Sequence, residues 1–362
     1  MTSSEKKGRS VSAVVINYNG ASKLRETVTS ICLQSVPIQN VIVVDNGSTD
    51  GSIDSIMYID RRIEILSMGE NAGLTRARNA GLKAAKSEFV LLCDNDVSPA
   101  PDALSHLMCT AEKEDAALVC PRIIYHPERD TIQTDGAENH YLGVMSMRRP
   151  DTPRAGAKSE VVPVNSAIGA CYLMNREKVL DCGGFDERYF FYFEDLEFAL
   201  RIRASAHRIM FDSNAVVYHD RGTGTPGLSY RGVGNYPRLR AELSMRNRLL
   251  TMVLHFQRRT LVLLSPALIV YEVTVLFYCL FRGWLPDWFR SWRWIHKNRK
   301  EILERRYHLE RVRKIGDKQL LSGGPIPFSK GFLRGPTQKL LAGVLSTTLN
   351  GYWVLVRRLL RD

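Results

Sequence analysis

From Val11 to about Ile123, short β-branched runs alternate with stretches of helical periodicity, which predicts a parallel sheet with crossover helices. Strands are predicted at 11–19 (VSAVVINYN), 40–46 (NVIVVDN), 62–67 (RIEILS), 88–96 (EFVLLCDND) and 116–123 (AALVCPRI). Between them, Leu24, Val28, Ile31 and Cys32 share one face of a helix starting at Ala21, and 71–86 predicts a second helix. Residues 124–165 mix Pro, Gly and charge without a sustained period, which predicts loop and irregular hairpin facing a substrate.

Beyond them, AIGACYLMN (167–175) reads as a strand, GGFDER as a loop and FEDLEFALRIRASAH as a helix with Phe193, Leu196 and Leu200 on one side. HRIMFD and AVVYH read as two closing strands. The stretch 221–237 holds five Gly and two Pro, the composition of a flexible connector and candidate lid. A helix with basic punctuation follows over about 238–259. Leu261 to Phe281 is the strongest apolar run, 21 residues interrupted only by Glu272 and Pro266, and at 1.5 Å per residue it is long enough to cross a bilayer. Trp284, Trp288 and Trp292 recur every four residues among Arg290, Arg293, Lys297, Arg299 and Lys300, a pattern suited to the headgroup boundary. A helix packed on the protein's own core is the alternative. Another apolar helix is predicted around 340–360. These segments divide the chain into an α/β domain over 1–232 and a basic, helical, membrane-associating region over 233–362.

Charge sharpens that division. Residues 1–220 carry 24 Lys+Arg against 30 Asp+Glu, whereas 221–362 carry 26 against 8, so the overall +12 belongs to the C-terminal part. Such asymmetry points to an anionic, extended partner. Apolar and Trp-rich segments between the charges favour a lipid surface over nucleic acid. Seven Cys without a C-x-x-C pair read as reduced, mostly buried thiols. The residues before Val11 are polar and basic with no apolar core of a signal peptide, so the main body is expected in the cytoplasm.

Candidate chemistry collects where predicted strands end. In an open α/β sheet those ends share one rim, so Asp45, Asp94, Asp96 and His219 can converge with Glu194 and Asp195. Asp94-Asn95-Asp96 offers hard oxygens to a divalent cation bridging two phosphates. Asp45 can accept the imide N–H of uracil or thymine, although an Asx turn capped by Ser48 or Asp50 explains it as well. Asn71, Arg76, Arg78 and Asn79 open the next helix and can offer amides and a guanidinium to diphosphate, a solvated helix face being the plainer reading. Glu194 and Asp195 follow the aromatic run Tyr189–Phe193, which excludes water and raises carboxylate pKa toward the range of a general base. Helix-start acids that stabilise the dipole are the commoner case. A neutral imidazole at His219 can complete a mixed O/N shell for Mn²⁺ or Mg²⁺, or serve a structural hydrogen bond.

The order VINYN, VVDNGSTDGS, ENAGLTRARNAG, LLCDND, GACYLMNR, GGFDERYFFYFEDLEFALR and VVYH resembles the family 2 glycosyltransferases of the GT-A fold, especially bacterial rhamnosyltransferase-like members. The resemblance covers roughly 10–250, including Arg246-Asn247 in MRNRLL. It implies a Rossmann-like, mostly parallel sheet with flanking helices. By position, Asp45 would contact the base, Asp94 the ribose or metal, Asp96 and His219 the metal, and Asp195 would deprotonate the acceptor, with Glu194 its rival. Asn17 and Asn71 would line the nucleotide pocket, and Arg78 would touch phosphate. The resemblance further implies an inverting transfer from a UDP- or dTDP-sugar, rhamnose among the candidates, to a lipid-linked or polysaccharide hydroxyl. The place of work would be the cytoplasmic face of the inner or plasma membrane, with the chain peripheral or monotopic. A sugar-nucleotide nucleotidyltransferase is the enzymatic rival, but the first strand leads into NYNGAS rather than a Gly-rich, basic triphosphate loop. A basic binding protein without chemistry is the rival from another class.

Overall fold

The computed structural model describes residues 10–220, 237–328 and 335–360. Apart from Pro237, the expected connector and lid over 221–237 lies outside them, as does the division at 232/233. The chain opens with β1 (Val11–Asn17), α1 (Ala21–Cys32), β2 (Asn40–Asp45), β3 (Ile63–Ser67), α2 (Leu74–Ala84), β4 (Phe89–Asp94), β5 (Val97–Pro99) and α3 (Ala103–Lys113). It continues through β6 (Leu118–His126), β7 (Thr131–Thr134), β8 (Ala137–His140), β9 (Val144–Met147), β10 (Thr152–Pro153), β11 (Val161–Val164) and β12 (Cys171–Asn175). Then come α4 (Arg176–Asp181), α5 (Glu194–Ala204) and β13 (Ile209–Asp220). The remainder is helical: α6 (Arg238–His255), α7 (Arg258–Arg282), α8 (Leu285–Lys297), α9 (Arg299–Val312), α10 (Asp317–Leu320) and α11 (Pro336–Leu359).

β3, β2, β1 and β4 pair in parallel, and β12 lies antiparallel between β4 and β6, so the five strands expected before Ile123 all point one way. β1 is buried on both faces, as a sheet covered by crossover helices requires. Val11, Ala13 and Val15 pack with Leu24, Val28 and Leu104 on one side. Val14 and Ile16 pack with Ala77, Leu82 and Phe198 on the other. The register sets Asn17 beside Asp45 and Ile16 beside Asp94, lining up three strand ends on one rim.

Two expectations are revised. HRIMFD and AVVYH form one strand, β13, whose register on β6 shifts between Asp212 and Val216. The stretch 124–165 holds five short strands, β8 and β9 pairing as a hairpin. Strands of two to four residues are too short to display a period. Inside this region a buried pair, Arg122 Nε to Asp135 Oδ1 at 2.8 Å, ties β6 to the turn after β7.

α5 joins the two parts, since Leu196 and Leu200 pack with Leu249, Met252, Phe256 and Trp353. Tyr141 stacks on Trp353 with ring centroids 5.0 Å apart. α7 does not behave as a core helix: its most apolar window has mean hydropathy 2.0 and is 17% buried. Ile269, Val273, Phe277 and Phe281 are exposed, as are Leu340, Val344 and Leu355 on α11. The tryptophans are divided rather than forming one outward stripe. Trp284 is buried and Trp288 half-buried, while Trp292 and Phe289 are exposed beside the basic residues of α8. At four-residue spacing 3.6 residues per turn walks the side chains around the helix, which carries the stripe from the interior to the surface.

Candidate active site

Each strand end delivers one polar group. Asn17 is fully buried, and its amide donates to Ser48 Oγ at 3.0 Å and Ser52 Oγ at 2.9 Å. Asn95 Nδ2 in turn donates to Asn17 Oδ1 at 2.9 Å. Asn17 therefore ties the β1, β2 and β4 ends together. Asp45 is 8% exposed and accepts from the Ser48 amide at 3.3 Å. Asn71, exposed at the rim, receives Asn46 Nδ2 at 3.0 Å and the Gly73 amide at 3.2 Å.

Arg78 of α2 organises the centre. Its Nη1 donates to Asp195 Oδ1 at 2.7 Å and Glu194 Oε1 at 3.2 Å, while Nη2 donates to Asp94 Oδ1 at 3.2 Å and the Gly169 carbonyl at 3.0 Å. The side chain is 1% exposed and lies over the Phe185 ring. Its two terminal nitrogens thus hold three carboxylates, while its buried Nε has no hydrogen-bond partner. Gly169 completes the packing: its amide donates to Asp195 Oδ2 at 2.8 Å, and a Cβ there would collide with Asp195 Oδ1 and both terminal nitrogens of Arg78.

The carboxylates differ in environment. Burial, reinforced by the neighbouring charge of Asp195 and opposed by Arg78, raises the Glu194 carboxyl well above the usual range. Glu194 Oε2 is buried without a hydrogen-bond partner. Burial also raises Asp94, to about 6, against the pull of Arg78. The side chain of Asp195 is 20% exposed, against 5% for Glu194.

Strained backbone delivers α5. Phe190, Tyr192 and Phe193 all have positive φ, at 62°, 65° and 66°, which is costly for residues with a Cβ. Asn247 of α6 offsets this by donating its one amide group to the carbonyls of Tyr189, Phe191 and Tyr192 at 3.0, 2.9 and 2.7 Å. Arg246 Nη2 adds the carbonyls of Arg188 and Tyr189. The sequence shows Arg246-Asn247 only as part of a motif; their contacts depend on a loop more than fifty positions away.

Asp96 and His219 meet through the β5–β13 pairing, with Nε2 3.3 Å from Asp96 Oδ1. Gln133 Oε1 lies 2.7 Å from His219 Nδ1, and since an amide oxygen only accepts, Nδ1 carries hydrogen. With Nδ1 so engaged, Nε2 is the ring nitrogen that faces the Asp96 carboxylate. Among the described residues no group of three or more His, Cys, Asp or Glu is placed to hold a metal ion. Of the three expected metal ligands, Asp96 and His219 face each other, while Asp94 Oδ1 accepts from Arg78. Such a pair fits Mn²⁺ or Mg²⁺, which fill the rest of an octahedral shell with water and phosphate oxygens.

A mixed, mostly parallel sheet with carboxylates on its C-terminal rim defines a GT-A type α/β protein. The S. aureus TarS 1-349 complex with UDP-GlcNAc shares this fold, with a TM-score of 0.52 at 17% identity over 96% of this chain and 92% of that one. GalNAc-T7 with UDP, GalNAc and Mn²⁺ gives 0.56 at 17% identity over 73% and 51%. The profile of Glycosyl transferase family 2 matches residues 12–182. A Mycobacterium tuberculosis pre-mycofactocin glycosyltransferase is 32% identical over 217 residues, 59% of this chain and 43% of the relative. The N-acetylglucosaminyl-diphospho-decaprenol L-rhamnosyltransferase of the same organism is 25% identical over 234 residues, 59% of this chain and 76% of the relative. The chain thus spans less than half the length of the first of these relatives.

Proposed function

We propose that this protein is an inverting glycosyltransferase that moves a sugar from a UDP- or dTDP-sugar to a hydroxyl of a lipid-linked or polysaccharide acceptor in cell-envelope glycan synthesis. One observation carries the reading: the Arg78 fork joins Asp94 at the end of β4 to Asp195 at the start of α5. Asp45 and Asn71 flank the base side of the donor, and Asp94 faces its ribose. Asp96 and His219 would hold Mn²⁺ or Mg²⁺, which when bound neutralises charge on the departing diphosphate.

Asp195 removes the proton from the incoming hydroxyl as the anomeric carbon is attacked on the face opposite the leaving group, so one displacement inverts configuration. Arg78 and the Gly169 amide orient its two oxygens, each keeping a further lone pair. Glu194, buried and with raised proton affinity, holds its proton and spares the cluster a further negative charge beside Asp94 and Asp195. The greater exposure of Asp195 and the raised proton affinity of Glu194 support Asp195 as the base. Rhamnose stands among the candidate sugars by likeness to the L-rhamnosyltransferase.

The same reading divides the chain near 232/233 and lets the exposed apolar faces of α7 and α11, with exposed cations on α8, meet an anionic membrane surface at the cytoplasmic leaflet.

Screening the purified chain against UDP-, dTDP- and GDP-sugars for hydrolysis tests the donor class, and no turnover or binding with any of them would contradict it. Calorimetry of the nucleotide with and without Mn²⁺ tests the metal pair. Asp96→Ala is expected to erase the metal-dependent part of the affinity, and an unchanged metal dependence would move the site elsewhere.

A further inference from the structure

A cavity of about 510 Å³ lies between α6, α7, α8 and α11, outside the acidic rim. That volume is in the range of small-ligand sites, about 300–1,000 Å³. Tyr278, Trp284, Trp288, Leu341 and Ala342 are among its largely apolar walls. Two features give it direction. Phe193, the residue immediately before Glu194 and Asp195, lines it, which places the start of α5 on the cavity wall. Leu341 lines it while remaining 64% exposed, so it also communicates with the apolar outer face of α11.

The wall carries one buried cation. Arg248 is 5% exposed and paired with Glu272, and its Nη2 has no hydrogen-bond partner. A buried N–H left unpaired invites a polar or anionic acceptor. The excess of Lys and Arg over 221–362, 26 against 8 acidic residues, supplies a complementary field for such a group. A free sugar has no apolar surface to fill the cavity.

We propose that this cavity receives the hydrocarbon tail of a phosphate-linked amphiphilic acceptor, whose sugar end then lies against Asp195. The inference rests on the glycosyl-transfer reading and names the acceptor class that reading leaves open.

Geranylgeranyl diphosphate is a suitable probe, with inorganic pyrophosphate as the headgroup control and binding to the full chain followed by calorimetry and by fluorescence of Trp284 and Trp288. The probe is expected to bind and quench, and pyrophosphate is expected to do neither. Ala342→Phe narrows the cavity, and Thr274→Phe, at an exposed wall position, repeats the test should the first variant fold poorly. Both are expected to weaken the probe by about tenfold or more while donor hydrolysis and binding to phosphatidylglycerol vesicles stay unchanged. Equal probe affinity in wild type and variants would overturn the proposal, as would full displacement by pyrophosphate. Loss of vesicle binding in parallel with the probe would also overturn it, assigning the cavity to bilayer lipid. Asp195→Asn separates this proposal from the one it rests on: probe binding retained while wild-type donor turnover is absent contradicts the transfer reading, and not the tail site.

Discussion

Arg78 and Asp195, 117 positions apart, are joined at 2.7 Å, and this bond brings α2 and α5 together over the end of β4. The same guanidinium holds Asp94 and Glu194, so three acids share one buried cation. Breaking such a cluster leaves uncompensated buried charge, which costs far more than the cluster gains over an apolar core. Its worth is geometric: it fixes where Asp195 points.

Gly169 is where that geometry is most sensitive. In Gly169→Ala the new methyl group occupies the space of Asp195 Oδ1 and the Arg78 nitrogens. Turnover is expected to fall at least about 100-fold, the scale of a displaced catalytic group, with nucleotide affinity retained. Steady-state kinetics and calorimetry on the same preparation check both halves.

Asn247→Ala removes one amide from three carbonyls of the positive-φ loop. The Tyr189 carbonyl keeps Arg246, and each of the other two left unpaired costs about 1–3 kcal/mol, so denaturant unfolding is expected to show a loss of about 2–4 kcal/mol after partial relaxation. Relaxation of the loop shifts α5, and kcat is expected to fall at least about tenfold with donor KM nearly unchanged. A stability loss with full kcat would confine Asn247 to folding.

Glu194 gives a pH signature. Its folded-state proton affinity is raised by burial from an ordinary carboxyl value of 4.5. The stabilisation carried by the protonated form is therefore complete below that value and is lost as pH rises through the folded-state value. Glu194→Gln keeps the neutral shape, so its Tm is expected to exceed that of the wild type by about 2–4 °C near pH 8 and to match it near pH 4. Thermal melts across that range decide; parallel profiles would mean the carboxyl is not protonated in the fold.

Much of this site was readable before the structure because strand ends announce themselves. Asp45, Asp94 and His219 each close an apolar β-branched run, and the parallel register makes such ends coincide. The groups that hold them in place were not readable in the same way. Arg78 stands in an ordinary amphipathic helix, and its carboxylate partners come from α5 and β4. Gln133, which fixes the His219 tautomer, lies in a four-residue strand within the aperiodic stretch, and Gly169 looks like part of the strand that it precedes. Periodicity reports the face a residue occupies, whereas such contacts depend on tertiary approach of distant segments.

Asp195→Asn tests the central claim most directly, because the amide preserves size and can keep one of the two accepted hydrogen bonds while losing basicity. With the donor identified by the nucleotide-sugar screen, transfer is expected to fall at least about 100-fold, with nucleotide affinity by calorimetry unchanged. Transfer at the wild-type rate with this variant would contradict the account and hand the proton to another group.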